Sequence, residues 1–459
     1  MSGTANPAVH VTAALSKAAR DIRFEGLPSD VVFLARQCLL DWLGVTLAGS
    51  REPLTEILRS EVLDQGGHPR ATLVGSGERV SVQQAALVNG AASHALDYDD
   101  VQMTMSGHPT VPVAPALLAL AEARQSPGRD VIAAFVAGIE MECRVGALVM
   151  PGHYRTGWHA TGTLGTFGAA AACCHLLALD QDQWQTAMGI AGAQAAGLKA
   201  MFGTMCKPLH AGKAAANGLL AATLAQRGFT SSPGVLDVAQ GFTDTQTSTP
   251  HPERALDGLG ESYAIRGVLF KYHAACYGTH ETIEGVLRLK ERYGLRPDDV
   301  REIRLTVPEG NLSMCNIQTP TTALEGKFSL RFTAALALAR DDTSDHAFTD
   351  EAVRDLALTR LRDRVAVVGR PSSGMGTDVA IVLSDGRELR ESVNLETPAA
   401  DLDRQWQRLA VKYTSLAEDV LGETRARKLL DAVEHVEEIQ SLSELLRLTV
   451  PTRNLEVAR

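Results

Sequence analysis

The stretch HALDYDDVQMTMSGHP (94–109) places two imidazoles, His94 and His108, and three carboxyl groups, Asp97, Asp99 and Asp100, within sixteen residues. Three further segments carry side chains of the same kind. GHYRTGWHATGTLGTFG (152–168) holds His153 and His159, and FGTMCKPLHAGKAAANG (202–218) holds Lys207, His210 and Lys213. FKYHAACYGTHETIEG (270–285) holds Lys271, His273, Cys276 and His280, ahead of a helix that Thr279 is placed to cap. Each is a loop broken by Gly or Pro that bears His or Lys and abuts a helix. Helix N-termini present unsatisfied N–H groups and partial positive charge, which favour carboxylates. Several such termini, with Lys207 and Lys271, suit a small polycarboxylate. Asp97, His108 and His159 can then move protons near neutral pH.

Each cluster also has a plainer reading. Acids ahead of a helix serve equally as caps or solvated loop residues, and Asp99 and Asp100 are evenly balanced between that and chemistry. Lys213 reads as solvent-facing or as a helix anchor, and Cys173-Cys174 as small core filling. A metal ion is the rival occupant of so many His and Asp side chains. No HExxH, His-x-His or facial-triad spacing appears, so no metal is expected.

The elements that must hold these groups read as helices over most of the chain. DVVFLARQCLLDWLGVTLAG (30–49) has apolar residues at helical spacing. DVIAAFVAGIEMECRVGAL (130–148) and LGTFGAAAACCHLLAL (164–179) are apolar nearly all round, as interior helices are. After Phe270 the character changes. The IRLTV core of 298–310, RVAVVGR (364–370) and TDVAIVLSDGRELRESV (377–393) alternate as strands, and Asp385-Gly386 marks a hairpin. From Asp401 the chain returns to helices. The expected fold class is therefore mainly α: a helical domain (1–268), an α+β domain (269–398), and C-terminal helices (399–459) that pack back on the first domain because two helices cannot stabilise themselves alone.

Composition bounds the partners. The 459 residues carry a formal charge of −10, with 45% hydrophobic and 5% aromatic residues. No basic field is available to neutralise phosphates, which argues against a nucleic-acid partner. The seven cysteines are scattered without a CxxC pair, which excludes zinc ribbons and obvious iron–sulfur sites. The N-terminal MSGTANPAVHVTAALSKAAR is too polar for a signal peptide, and no run of eighteen apolar residues occurs. A cytoplasmic protein without a membrane partner is the resulting expectation.

At these same residues the chain resembles the MmgE/PrpD family, whose members include 2-methylcitrate dehydratase, cis-aconitate decarboxylase and iminodisuccinate epimerase. The resemblance is carried by HALDYDD (94–100) with SGHP (106–109), GWHATGTLGTFGA (157–169), FGTMCKPLHAGKAAANG, KYHAACYGTH (271–280) and KFSLRF (327–332). It implies a helical domain assembled from both ends of the chain, an α+β lid, a homodimer, and a site free of metal and cofactor. It also assigns Asp97, His108, His159, Lys207 and Lys271 to the active site; His210, Cys276, Thr279 and His280, in the same motifs, are expected as substrate contacts. Three positions depart from the decarboxylase branch: Val101 replaces a threonine, Phe332 a tyrosine and Cys276 a histidine.

The shared chemistry of such a family is formation of a carbanion beside a carboxylate. His159 is expected as the base, Lys207 and Lys271 as carboxylate clamps, Asp97 as the group that orients an imidazole, and His108 as the proton donor. The reaction expected is dehydration of a small hydroxy-polycarboxylate such as 2-methylcitrate. Epimerisation of an iminodisuccinate-like acid and decarboxylation of the cis-aconitate type stand as alternatives, because all three use one inventory of residues.

Overall fold

The structure is a computed structural model that describes residues 10–371 and 376–452. The polar N-terminal stretch read as lacking a signal peptide lies outside the described residues over positions 1–9. The chain divides into two compact units, one formed by Met1–Phe270 with Ala399–Arg459, the other by Lys271–Pro398.

The first unit is built from helices whose small residues let backbones approach closely. The helices Val82–Ser93, Thr110–Arg124, Gly128–Val149, Ala160–Leu176 and Cys206–Gln226 pack on one another. Ala160–Leu176 is buried along its whole length as far as Cys174, as its uniformly apolar sequence requires. Where Cys206–Gln226 crosses Val82–Ser93, Gly212 faces Gly90. A Cβ at Gly212 would stand 2.2 Å from the Leu87 carbonyl oxygen, so only glycine permits this approach. The prolines of HPTVPVAP fall inside the helix and not only in its approach: Thr110–Arg124 begins directly after Pro109 and contains Pro115.

The Ser29–Gly49 helix is long and apolar enough to cross a membrane, yet most of it is buried inside this unit. Its partner is the C-terminal helix Leu402–Leu421. Leu409, Tyr413, Leu416 and Ala417 supply the apolar stripe between them. A buried polar ladder runs beside it: Gln405 Nε2 donates to Gln37 Oε1 at 2.7 Å, and Lys412 Nζ to Asp41 Oδ1 at 2.6 Å. Two minimal strand pairs interrupt the helical pattern, Ala71–Thr72 with Arg79–Val80 and Val101–Gln102 with Val268–Leu269, both antiparallel.

The second unit holds a four-stranded sheet. Val300–Pro308 runs parallel to Val365–Arg370 on one side and antiparallel to Thr377–Leu383 on the other, and Glu388–Val393 forms the edge. The expected Asp385-Gly386 turn closes the hairpin: Asp385 Oδ1 accepts the Arg387 N–H at 3.0 Å, and Gly386 takes φ +91°. The helices Tyr277–Tyr293 and Leu330–Ala339 pack together in this unit. Phe332 is buried in its core against Phe348.

Candidate active site

The loop quoted first is held at both ends. Ser81 starts the Val82–Ser93 helix with a capping box, and His94 ends it. Asp97 then reverses the chain in the left-handed region, φ 52°, which aspartate tolerates better than most residues. Val101–Gln102 pairs with Val268–Leu269, and Gln102 N–H donates to the Gly107 carbonyl at 2.9 Å, closing a small hairpin. The His108 N–H donates to Thr161 Oγ1 at 3.1 Å, which ties the loop to the first turn of Ala160–Leu176. His159 immediately precedes that helix, and its own N–H donates to the Gly197 carbonyl at 2.9 Å.

The result is a hub of imidazoles around buried carboxylates. Asp99 is fully buried and accepts from His94 Nδ1 at 2.9–3.0 Å. Its Oδ2 also lies 2.9 Å from His108 Nδ1, which donates to the Asp100 carbonyl at 2.8 Å. Both neighbours of His108 Nδ1 are acceptors, so the proton of the neutral ring resides there. Nε2 is left as the exchangeable position, 3.8 Å from Asp97 Oδ1. Asp97 itself is paired with Lys207, Nζ to Oδ1 at 2.8 Å. His94 meets the His108 ring edge-on at 4.5 Å and stacks on His159 at 5.9 Å. His159 Nδ1 and His210 Nδ1 are 3.0 Å apart, one donating to the other. Phe202 lies edge-on to His159 at 5.0 Å, and the Lys207 ammonium is 5.5 Å from the centre of its ring.

Burial divides these groups by charge. Burial alone pushes Asp99 up, but His108 and His94 overcome it and hold the carboxyl well below its ordinary range, so it is ionised. Burial lowers His94 to about 4 against the pull of Asp99. It also lowers His159 well below its ordinary value, assisted by His94, Lys207 and His108, and lowers His210 with help from Lys207. The His94, His159 and His210 rings are therefore neutral at pH 7, able to accept a proton. Asp100 is raised to about 8 by burial and by Asp41, so it is a neutral acid at pH 7, with the Thr110 N–H and hydroxyl both bonded to it. Glu142, also neutral, is raised well above the carboxylate range by burial and Asp100, and neither of its oxygens has a hydrogen-bond partner among the described residues.

The second unit gathers its own set. Lys271 is almost completely buried. His273 bridges Thr343 Oγ1 (Nδ1, 2.7 Å) and Glu284 Oε1 (Nε2, 3.2 Å). His280 donates from Nε2 to the Ala275 carbonyl at 3.0 Å, and burial, with His273 and Lys271, keeps it well below its ordinary pKa. Thr279 does not cap the helix. The helix starts two residues earlier, at Tyr277 with Cys276 at the cap position, and the Thr279 hydroxyl donates to the Cys276 carbonyl at 2.8 Å.

The residues singled out in the sequence thus form two groups. Asp97, His108, His159, Lys207 and His210 meet in the first unit, and Lys271, Cys276, Thr279 and His280 lie together in the second. The carboxylate bonded to the imidazoles is Asp99, whereas Asp97 engages Lys207. His94 and Asp99 are functional candidates: the sequence leaves Asp99 evenly balanced between a cap and chemistry and gives His94 no role. A histidine and an acid five positions apart match no helical or strand period, and only the left-handed turn at Asp97 brings them together. His153 is buried with its Nε2 on Thr163 Oγ1 at 2.7 Å, packed parallel to Trp158. His94, Asp97, Asp99 and His108 offer donor atoms within 4.8 Å of one another, a set with the chemistry to hold a cation. The Lys207 ammonium at Asp97 and the two imidazole N–H groups at Asp99 already compensate both carboxylates.

The chain matches the family model for the MmgE/PrpD N-terminal domain over residues 13–255 and that for the C-terminal domain over 273–438. It is 28% identical to the cis-aconitate decarboxylase-like protein oryM of Aspergillus oryzae, across 96% of this chain and 98% of that protein. It is 26% identical to the cis-aconitate decarboxylase of Aspergillus terreus, covering 97% of each chain, and 26% identical to that of Homo sapiens, covering 98% and 96%.

Proposed function

The chain belongs to the MmgE/PrpD family, and on that footing we propose that it is a lyase that removes a proton beside a carboxylate of a small polycarboxylate, without a metal or redox cofactor. The observation that carries this reading is the convergence of two uncharged imidazoles, His159 and His210, with an oriented His108 and the Lys207–Asp97 pair.

A carbanion beside a carboxylate spreads its charge onto the carboxylate oxygens. A cation placed at those oxygens and a base placed at the carbon lower the barrier together. His159 has the attributes of the base: burial keeps it neutral, and in the tautomer whose Nδ1–H donates to His210 its Nε2 is the free acceptor. A carboxylate arriving at Lys207 competes with Asp97 for the ammonium, so substrate charge is exchanged for Asp97 and no bare charge is buried. His108 offers Nε2 as the second proton-transfer atom, and its ring is held by the ionised Asp99. In a dehydration this atom protonates the departing hydroxyl from the doubly protonated ring, which keeps its Nδ1 proton on Asp99 and the Asp100 carbonyl, so a proton must be supplied to Nε2 before each turnover. Lys271 enters the proposal as a second carboxylate-binding cation, on the resemblance of the KYHAACYGTH segment.

Decarboxylation is the second reading, favoured by the names of the relatives. Phe202, partly exposed beside His159, is a wall on which a carboxylate loses solvation, and desolvation of that kind favours loss of CO₂.

The test is proton NMR in deuterium oxide with 2-methylcitrate, citrate, cis-aconitate and iminodisuccinate. Gain or loss of alkene signals with water added or removed establishes the hydro-lyase. Loss of one carboxyl group as CO₂ establishes the decarboxylase, and deuterium at an α-carbon without net conversion establishes an epimerase. No exchange and no conversion with any acid sinks the reading. His159→Gln and Lys207→Met are each expected to reduce turnover about a hundredfold or more, with the melting temperature within a few degrees of the parent. Lys271→Met is run in the same assay.

A further inference from the structure

The loop that carries Asp97 and Asp99 is held from beneath by a residue 314 positions later in the chain. Lys412, on the Leu402–Leu421 helix, donates from Nζ to the Tyr98 backbone carbonyl at 2.6 Å and to Asp41 Oδ1 at 2.6 Å. The same ammonium lies 3.9 Å from the centre of the Tyr98 ring. Its side chain is 4% exposed and that of Asp41 is 2% exposed. Tyr98 sits between Asp97, which pairs with Lys207, and Asp99, which holds His94 and His108.

A lysine buried to this degree demands an explanation. Taking an ammonium out of water is costly, and a helix-packing position could be filled by an aliphatic side chain at no such cost. Leu409, Tyr413 and Leu416 around it do that. What an aliphatic residue cannot do is hold a backbone carbonyl at a fixed point. Asp97 stands at φ 52°, a conformation that non-glycine residues adopt only when the surroundings impose it. The residue directly after that turn is the one Lys412 grips through both its carbonyl and its ring.

We propose that Lys412 is a positioning residue for the imidazole hub: anchored by Asp41, it fixes the Tyr98 carbonyl and thereby the separation and orientation of Asp97 and Asp99. It does not touch the reacting groups. The proposal rests on the reading that the 94–108 loop carries catalytic groups, but its effect on the imidazoles is measurable whether or not any acid is turned over. Besides His94 and His108, the charged or titratable groups that face the hub include His159 and His210, the carboxyls of Asp41, Asp97, Asp99, Asp100 and Glu142, the Cys38 thiol, and the ammonium groups of Lys207 and Lys412.

The experiment uses full-length protein labelled with ¹⁵N-histidine and reads the ring nitrogens of His94 and His108 against pH. His153 and His175 serve as internal references, since their partners are Thr163 and the Ile22 carbonyl. Two variants are compared with the parent: Lys412→Met, which leaves Asp41 without this partner, and the double variant Asp41→Asn/Lys412→Met, which removes the buried charge pair as a unit and keeps the fold accessible. In both, the His94 and His108 resonances are expected to move while His153 and His175 stay in place. If a turned-over acid has been identified, kcat falls about a hundredfold with a smaller change in KM, the signature of misplaced groups. If the double variant folds and its His94 and His108 resonances match the parent, Lys412 is only a packing residue and the proposal is overturned, even if the melting temperature has dropped.

Discussion

Burial and the neighbouring Asp41 carboxylate hold Asp100 protonated up to about pH 8, and its ordinary value is 3.8. Between those two values the folded chain binds a proton that the unfolded chain has released, so the contribution of Asp100 to stability falls as pH rises. It is fully present below about pH 4 and lost by about pH 8. His94 acts in the opposite direction: with its folded pKa near 4 against 6.5 unfolded, its contribution is present above pH 6.5 and lost as pH falls towards 4. Each group has a slope of about 1.4 kcal/mol per pH unit inside its window. Thermal denaturation from pH 5 to 8 should therefore show Asp100→Asn gaining on the parent as pH rises, because asparagine keeps the contacts with Thr110 and cannot ionise. A constant difference across that range would mean that Asp100 is already ionised in the folded protein.

At the scale of elements, the close crossing of Cys206–Gln226 on Val82–Ser93 decides where Lys207 and His210 stand relative to the loop that follows Ser93. Gly212→Ala puts a methyl group 2.2 Å from the Leu87 carbonyl oxygen, and the helices must separate to admit it. A loss of about 1–3 kcal/mol is expected from such overpacking, read as a lower melting temperature together with weaker turnover. An unchanged melting temperature would show that the crossing is slack. The helices over 130–148 and 164–179 were legible in the sequence because an apolar surface on every side leaves a helix no place but the interior. The 383–388 hairpin was legible because Asp-Gly has few alternatives as a turn. The partner of each imidazole was not legible. The family resemblance offers Asp97 as the orienting acid, yet the reversal at Asp97 turns Asp99 towards the rings. Thr279 looked like a cap because threonine caps helices, yet the chain had turned helical at Tyr277. Lys412 left a trace that could have been read: in DRQWQRLAVKYTSLAEDVLG it falls on the stripe of Leu409, Tyr413 and Leu416, where a solvated lysine does not belong.

At the scale of the whole molecule, the first unit is closed by the last segment of the chain. Residues 399–452 contribute the stripe of Leu402–Leu421 and the buried partners of Gln37 and Asp41. A chain ending at residue 398 exposes the matching face of Ser29–Gly49 and leaves Asp41 buried without its Lys412 partner. It is expected to show no cooperative thermal transition in the first unit and to precipitate on heating. Recovery of a folded hub in that fragment, read from its histidine resonances, would refute this.

The 314-residue separation between Tyr98 and Lys412 also sets a schedule. During synthesis the acidic loop leaves the ribosome early, with its lower anchor still untranslated. The whole of the second unit must emerge before the helix that locks the loop exists. Competence is therefore acquired only after Lys412 and its helix have been translated: a shorter nascent or prematurely terminated chain carries the histidines, acids and lysine of the hub but not the clamp proposed to give them their spacing.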